Sequence, residues 1–151
     1  MAKRFKASGI LYADGEHIGL TKYRIAGDYL EELVKVSPNK IIVANTTNKS
    51  LWYDPTNIIG YAELEYVSDK GNPHIVAHIT FNEASRTTYE GVLQSKERKR
   101  LRLGFMIDSF KSHGSKERVI YDGKIQAIAL AETCLGGTIY KYGWEDNDEQ
   151  A

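Results

Sequence analysis

A single cysteine, Cys134, stands in 151 residues. That excludes an intrachain disulfide framework and any zinc site built from several thiolates. No stretch reaches the roughly 18 apolar residues that cross a bilayer, so no membrane partner is expected. The basic start, Met1 to Lys6, has no apolar run behind it and does not read as a signal peptide. An excess of one charge is missing too: twenty Lys and Arg face twenty Asp and Glu. This balance argues against a nucleic-acid wrapper and against an acidic disordered linker. What remains is an ordinary globular composition, 42% hydrophobic and 26% charged. Such a chain supports one domain with its own core, in a reducing cytoplasm.

The pattern along the chain places that domain at residues 7–142. Residues 1–6 read as a basic arm and 143–151 as a frayed acidic tail, too polar to offset the entropy of ordering. Ala7 to Tyr12 reads as a first strand closed by Asp14-Gly15. Asp28 is placed to cap a short helix with Leu30, Leu33 and Val34 on one face, ended by Ser37-Pro38. Ile41 to Ala44 is a β-branched run. From Ile59 to Val67, apolar Ala62, Leu64 and Tyr66 alternate with Tyr61, Glu63 and Glu65, the period of a half-buried strand. A long reversal, Ser68 to Pro73, leads to Ile75, Ala77, Ile79 and Phe81 on one face of the next strand.

Asn82 then caps a helix that fades near Lys96, with Tyr89, Val92 and Leu93 inward. Leu101 to Ile107 alternates as a strand, and Asp108 to Glu117 reads as a polar loop. Asp122-Gly123 signals a hairpin between Val119–Tyr121 and an apolar strand at Ile125–Thr133. Gly136-Gly137 breaks that strand before a closing one at Thr138–Tyr142. The sum is an α+β fold: a mostly antiparallel curled sheet or small barrel of about seven or eight strands, with two or three short helices.

Three segments in this order resemble the prohead protease family of tailed phages, whose fold is similar to that of the herpesvirus assembly protease. Leu51-Trp52-Tyr53-Asp54-Pro55 with Ile59-Gly60 resembles the family segment that carries the catalytic histidine. Leu101-Arg102-Leu103-Gly104-Phe105 is similar to Leu-Ser-Ile-Gly-Phe, whose serine is the nucleophile. Ile128-Ala129-Leu130-Ala131 stands in the place of Leu-Glu-Val-Ser, whose acid orients the histidine. The resemblance covers residues 7–142 and implies a prohead-protease-like fold.

It also implies a lost mechanism. A hydroxyl must attack, an imidazole must take its proton, and a third group must hold the ring. Here the three positions hold Arg102, Tyr53 (with Asp54 one residue on) and Ala129. Arginine stays protonated, tyrosine with a pKa near 10 is a poor base, and alanine accepts nothing. Loss of such a set costs roughly a million-fold in turnover where it has been dissected. The resemblance therefore points to a non-catalytic phage structural protein that binds capsid protein, or further copies of itself, as a cement, decoration or assembly component. It would sit in the virion or procapsid and in host cytoplasm during assembly. The alternative is an active prohead serine protease that cuts scaffold and capsid precursors. Its serine would lie among Ser109, Ser112 and Ser115, its base at His78 or His113.

Other groups have plainer readings. His74 and His78 share a strand face but lie roughly 13 Å apart along it, too far to chelate one ion. Cys134, at the end of an apolar strand, reads as a small buried hydrophobe. Gly136-Gly137 lacks the Lys-Ser/Thr and the helix of a phosphate loop. The run Lys96, Arg98, Lys99, Arg100 and Arg102 is the densest charge feature. It reads as a solvated helix end, with contact to a protein partner open and nucleic acid disfavoured by Glu97 and the neutral total. No cofactor or metal is implied. Ten tyrosines and two tryptophans add amphipathic side chains of the kind enriched at interfaces.

Overall fold

A computed structural model describes residues 3–69 and 71–146. The chain runs β1 (Lys3–Ala13), β2 (Tyr23–Ile25), α1 (Leu30–Val36), β3 (Ile41–Ala44), β4 (Ile58–Asp69), β5 (Asn72–Phe81), α2 (Glu83–Leu93), β6 (Arg102–His113), β7 (Arg118–Ala131) and β8 (Ile139–Asp146). All eight strands belong to one sheet. β3, β4, β5, β1 and β8 follow one another antiparallel. β7 takes β6 antiparallel on one side, and β2 and β3, both parallel, on the other. The fold is thus α+β with a mixed sheet. It is not closed into a barrel: β6 and β8 form no ladder, and the start of β6 meets the segment before β8 through an isolated bridge between Arg102 and Thr138 and backbone bonds from Leu103 to Gly136 and Gly137.

Strand alternation sets the core. Ile75, Ala77, Ile79 and Phe81 of β5 all turn inward and are buried, as that run predicts. They meet Phe5, Ala7 and Leu11 of β1, and Leu103, Ile128 and Leu130 of the β6–β7 pair. Both helices bury their apolar residues in this same core, α1 through Leu30 and Leu33, α2 through Leu93 and Tyr89. Tyr89 stacks on Phe81 at 4.9 Å. The Asn82 side chain caps α2 by accepting from the Ser85 amide at 2.9 Å. The start of α1 differs from expectation. A 3-10 turn over Gly27–Tyr29 precedes it, and neither Asp28 nor Tyr29 makes a side-chain cap.

Five further expectations are corrected. The arm is not separate: residues 3–6 belong to β1, and Phe5 is buried. The tail starts later, because 143–146 belong to β8. Trp144 packs against Phe5 at 5.5 Å and donates from Nε1 to Glu90 at 2.7 Å. The remainder of the proposed tail, 147–151, lies outside the described residues. The β4–β5 reversal is tight rather than long. Asp69 pairs with Asn72, leaving a two-residue turn in which Gly71 adopts a φ of 76°.

Finally, Asp122-Gly123 makes no hairpin. β7 runs through it as one strand. The Tyr29 hydroxyl donates to the Gly123 carbonyl at 2.6 Å and accepts from its amide at 3.0 Å, taking up the backbone groups that a turn would have used. The expected loop after Asp108 is strand as far as His113, with two register irregularities against β7, between Asp108 and Lys111 and between Lys111 and Ser112.

Candidate functional site

Leu103, Phe105, Ile128 and Leu130 take the inward positions of the β6–β7 pair, so the residues between them point outward. Arg102 lies opposite Ala131 in this pair, and Gly104 opposite Ala129. Ala129 is fully buried. It packs in a second, smaller cluster with Ala44, Ala127, Trp52 and Cys134. Two of the three positions singled out in the sequence, Arg102 and Ala129, are therefore diagonal cross-strand neighbours on one face.

The third position is filled differently from expectation. Trp52, not Tyr53, enters the cluster; Tyr53 is 52% exposed. Asp54 caps a turn at Pro55–Asn57, accepting from the Thr56 amide at 3.0 Å and its hydroxyl at 2.8 Å. Those bonds hold its carboxyl below the usual range. Arg102 donates to the Gly136 carbonyl at 3.2 Å and lies at the surface.

A cavity of about 220 Å³ opens beside this cluster, with Leu11, Tyr12, Trp52, Leu103, Gly104, Phe105, Cys134 and Gly136 among its walls. Gly136 forms part of the wall, with Gly137 next to it in the chain. A Cβ on Gly136 would lie 2.2 Å from the Leu103 carbonyl oxygen, and one on Gly137 2.3 Å from that of Ile10. Only glycine lets this segment thread between β6 and β1. Another wall is the loop after β1. Tyr12 fixes it, donating to the Glu16 carbonyl while accepting from the Ile25 amide.

Cys134 behaves as the sequence suggests, a small buried group whose thiol burial pushes up in pKa. The Trp52 indole N–H is buried and has no hydrogen-bond partner. Four of the exposed large apolar side chains, Leu20, Leu51, Tyr53 and Leu135, ride on the loops that form this cavity.

The remaining candidates are scattered. Ser112 accepts from Arg118 at 3.3 Å, His113 stacks on Tyr121 at 5.4 Å, and Ser109 sits in the left-handed region at φ 53°. No hydrogen bond joins Ser109, Ser112 or Ser115 to a histidine among the described residues. His17 pairs with Glu117 at 3.0 Å, and His74 bonds the Asn72 carbonyl oxygen at 2.9 Å. No group of three or more His, Cys, Asp or Glu that could hold a metal occurs among the described residues. The basic run is spread over several surroundings. Arg98 lies over the Tyr142 ring at 5.2 Å and Arg102 reaches Gly136, while Lys96, Lys99 and Arg100 are exposed on a 3-10 turn capped by Ser95.

One constellation escaped the sequence reading. On β5, His78 lies between β1 and β4, and its ring bonds to both. Ser8 Oγ is 2.8 Å from His78 Nδ1, and His78 Nε2 is 2.8 Å from Glu65 Oε1. His78 was already a candidate base. Its partners were hidden because strand register, not sequence spacing, joins residues 70 apart. The alternation of small buried Ala7 with Ser8 is the only local sign that Ser8 faces away from the core.

Comparisons with protein-family models, curated proteins and solved structures find no match to this chain.

Proposed function

We propose that this chain is a non-catalytic structural protein of a tailed phage, with a prohead-protease-like shell that binds capsid subunits as a cement, decoration or assembly component. The observation that carries the reading is the cavity beside Ala129. Trp52, Gly104, Cys134 and Ala129 gather where acyl-transfer chemistry would need a base, a hydroxyl and an acid. None of these four side chains supplies one: a raised thiol, an indole and two carbon-only positions do not amount to a nucleophile with a base. Glu16, His17 and Lys49 also line the cavity, but the His17 ring is paired with Glu117 at 3.0 Å. Leu135 of the cavity wall is exposed, and so are Leu20, Leu51 and Tyr53, each next in sequence to a lining residue. Exposed apolar groups that form a contiguous patch mark contact surfaces, and these four are the side chains offered for one. The capsid as partner comes from the family resemblance alone. The corresponding location is the virion or procapsid.

The test is sedimentation of the purified protein with procapsids and mature heads of the phage that encodes it. Co-sedimentation that is lost on Leu20→Ser with Leu135→Ser, in a protein that still folds, is the expected result. A wild-type chain that stays in the supernatant with both particles would overturn the reading. The alternative of an active assembly protease has one observation in its favour, the Ser8–His78 contact, although this lies away from the cavity and uses a serine outside the expected loop.

A further inference from the structure

Ser8, His78 and Glu65 occupy adjacent strands on the side of the sheet turned away from the main core. The partners select one tautomer of the neutral imidazole. An ionised Glu65 can only accept, so Nε2 is the nitrogen that donates, across 2.8 Å. In that tautomer Nδ1 is a lone pair, and the Ser8 hydroxyl 2.8 Å away is its donor. A serine hydroxyl on an imidazole that a carboxylate holds in one tautomer is the arrangement of a base-activated nucleophile. Lys141 stands opposite Ser8 on β8, exposed and on the same face, which brings a cation to the neighbourhood where negative charge would build. Ser8 itself is only 9% exposed, so bulky donors are kept out and small ones are not.

We propose that Ser8 is a nucleophile activated by His78 and that it accepts acyl groups from small activated esters. In the step, Ser8 Oγ bonds to the ester carbonyl carbon and its proton passes to His78 Nδ1. The carbon–oxygen bond to the leaving group then breaks, and the departing alkoxide or phenolate takes that proton or leaves as the anion. Glu65 is a positioning residue that keeps Nε2 protonated. This uses a different surface from the capsid-binding proposal: a negative result here leaves that proposal whole, and a positive one leaves its binding part standing but ends its non-catalytic part.

The experiment treats the folded full chain with p-nitrophenyl acetate and, separately, with a small alkyl fluorophosphonate, from which Ser8 would displace fluoride. The modified residue is then mapped by mass spectrometry. One adduct per chain, on Ser8, is expected, with none when the same reagents meet the urea-unfolded protein. His78→Gln should slow labelling by about a hundredfold or more. Glu65→Gln should slow it less and shift the imidazole ¹⁵N resonances toward the other tautomer, a change that a merely structural carboxylate would not produce. No adduct on the folded wild-type chain, an adduct on any other serine, or Ser8 labelling unchanged in His78→Gln would each overturn the proposal.

Discussion

Ala129 and Ser8 sit at comparable places: each is a small residue of a long strand, on the side of the sheet turned away from the main core, facing a neighbour across a register pair. What covers them differs. Over Ala129 lie Trp52 and Cys134, delivered by two loops, and the site is closed and apolar. Ser8 is itself buried, between His78 and Lys141 on the flanking strands, but the His78 and Glu65 side chains of its hydrogen-bonded chain keep substantial exposure, 43% and 57%. A closed site denies water to any polar group and so selects against it unless it is paired. A half-open site lets a hydroxyl, an imidazole and a carboxylate bond to one another while water serves their remaining valences. The polar chemistry of this protein is found where covering is thin, not where the family resemblance would put it.

Placing a carboxylate at the closed site is the harshest test of that contrast. Ala129→Glu restores the residue type that the resemblance expects, but buries a larger, charged side chain among Ala44, Trp52 and Cys134. Overpacking and an unpaired charge should together cost more than about 4 kcal/mol, enough to leave much of the chain unfolded. Urea denaturation measures it. A loss below about 1 kcal/mol would mean the cavity readily admits the carboxylate, and that the site is poised for polar chemistry after all.

Trp52 separates bulk from hydrogen bonding at the same site. Trp52→Ala should cost about 3–5 kcal/mol, because a large ring leaves a void that its neighbours cannot fill. Trp52→Phe should cost less than about 1.5 kcal/mol, since the indole N–H it deletes has no partner to abandon. Equal costs for the two would show that the indole nitrogen carries a bond the closed site needs.

The two sites were unequally legible in the sequence. Period-two alternation revealed most of β4 and the inward face of β5, because a half-buried strand must alternate, while β3 showed as a β-branched run. Asn82 announced α2 through its cap. The second half of β6 was missed because an exposed strand with one neighbour needs no apolar face, so Lys111 to His113 reads as loop. Asp122-Gly123 misled because turn propensity is local, whereas the Tyr29 hydroxyl that binds Gly123 comes from 94 residues away. At the closed site the segments were visible but their inward member was not: Trp52 and Tyr53 are adjacent and aromatic, and only the turn capped by Asp54 decides which enters. At the open site Ser8 and Glu65 were invisible, since nothing short of the pairing of β1, β5 and β4 brings them to one ring.

Cys134 gives the closed site a chemical readout. Burial raises its thiol pKa, so at any given pH less thiolate is present than in an exposed cysteine. Alkylation by iodoacetamide, followed by mass, should therefore be slower than for a free thiol at pH 7 and should climb only at more alkaline pH. Because Cys134 is the single cysteine, every adduct reports on this site. A rate at pH 7 matching or exceeding that of free cysteine would mean an electropositive, accessible thiol and would break the description of Cys134 as part of a buried apolar cluster.

The smallest expected effect on stability belongs to the open site. Ser8→Ala removes one hydrogen bond to an imidazole that water can still reach, so unfolding free energy should fall by only about 0.5–1.5 kcal/mol. The Ala side chain keeps the strand packing between Ala7 and Gly9, and no cavity forms. If the loss instead reaches the range of Trp52→Ala, the Ser8–His78–Glu65 chain is a clamp across β1, β5 and β4. Its hydrogen bonds would then be explained by holding three strands together. A small loss leaves the clamp explanation without the energy it needs, and the acyl-transfer experiment on Ser8 becomes the measurement that assigns the constellation.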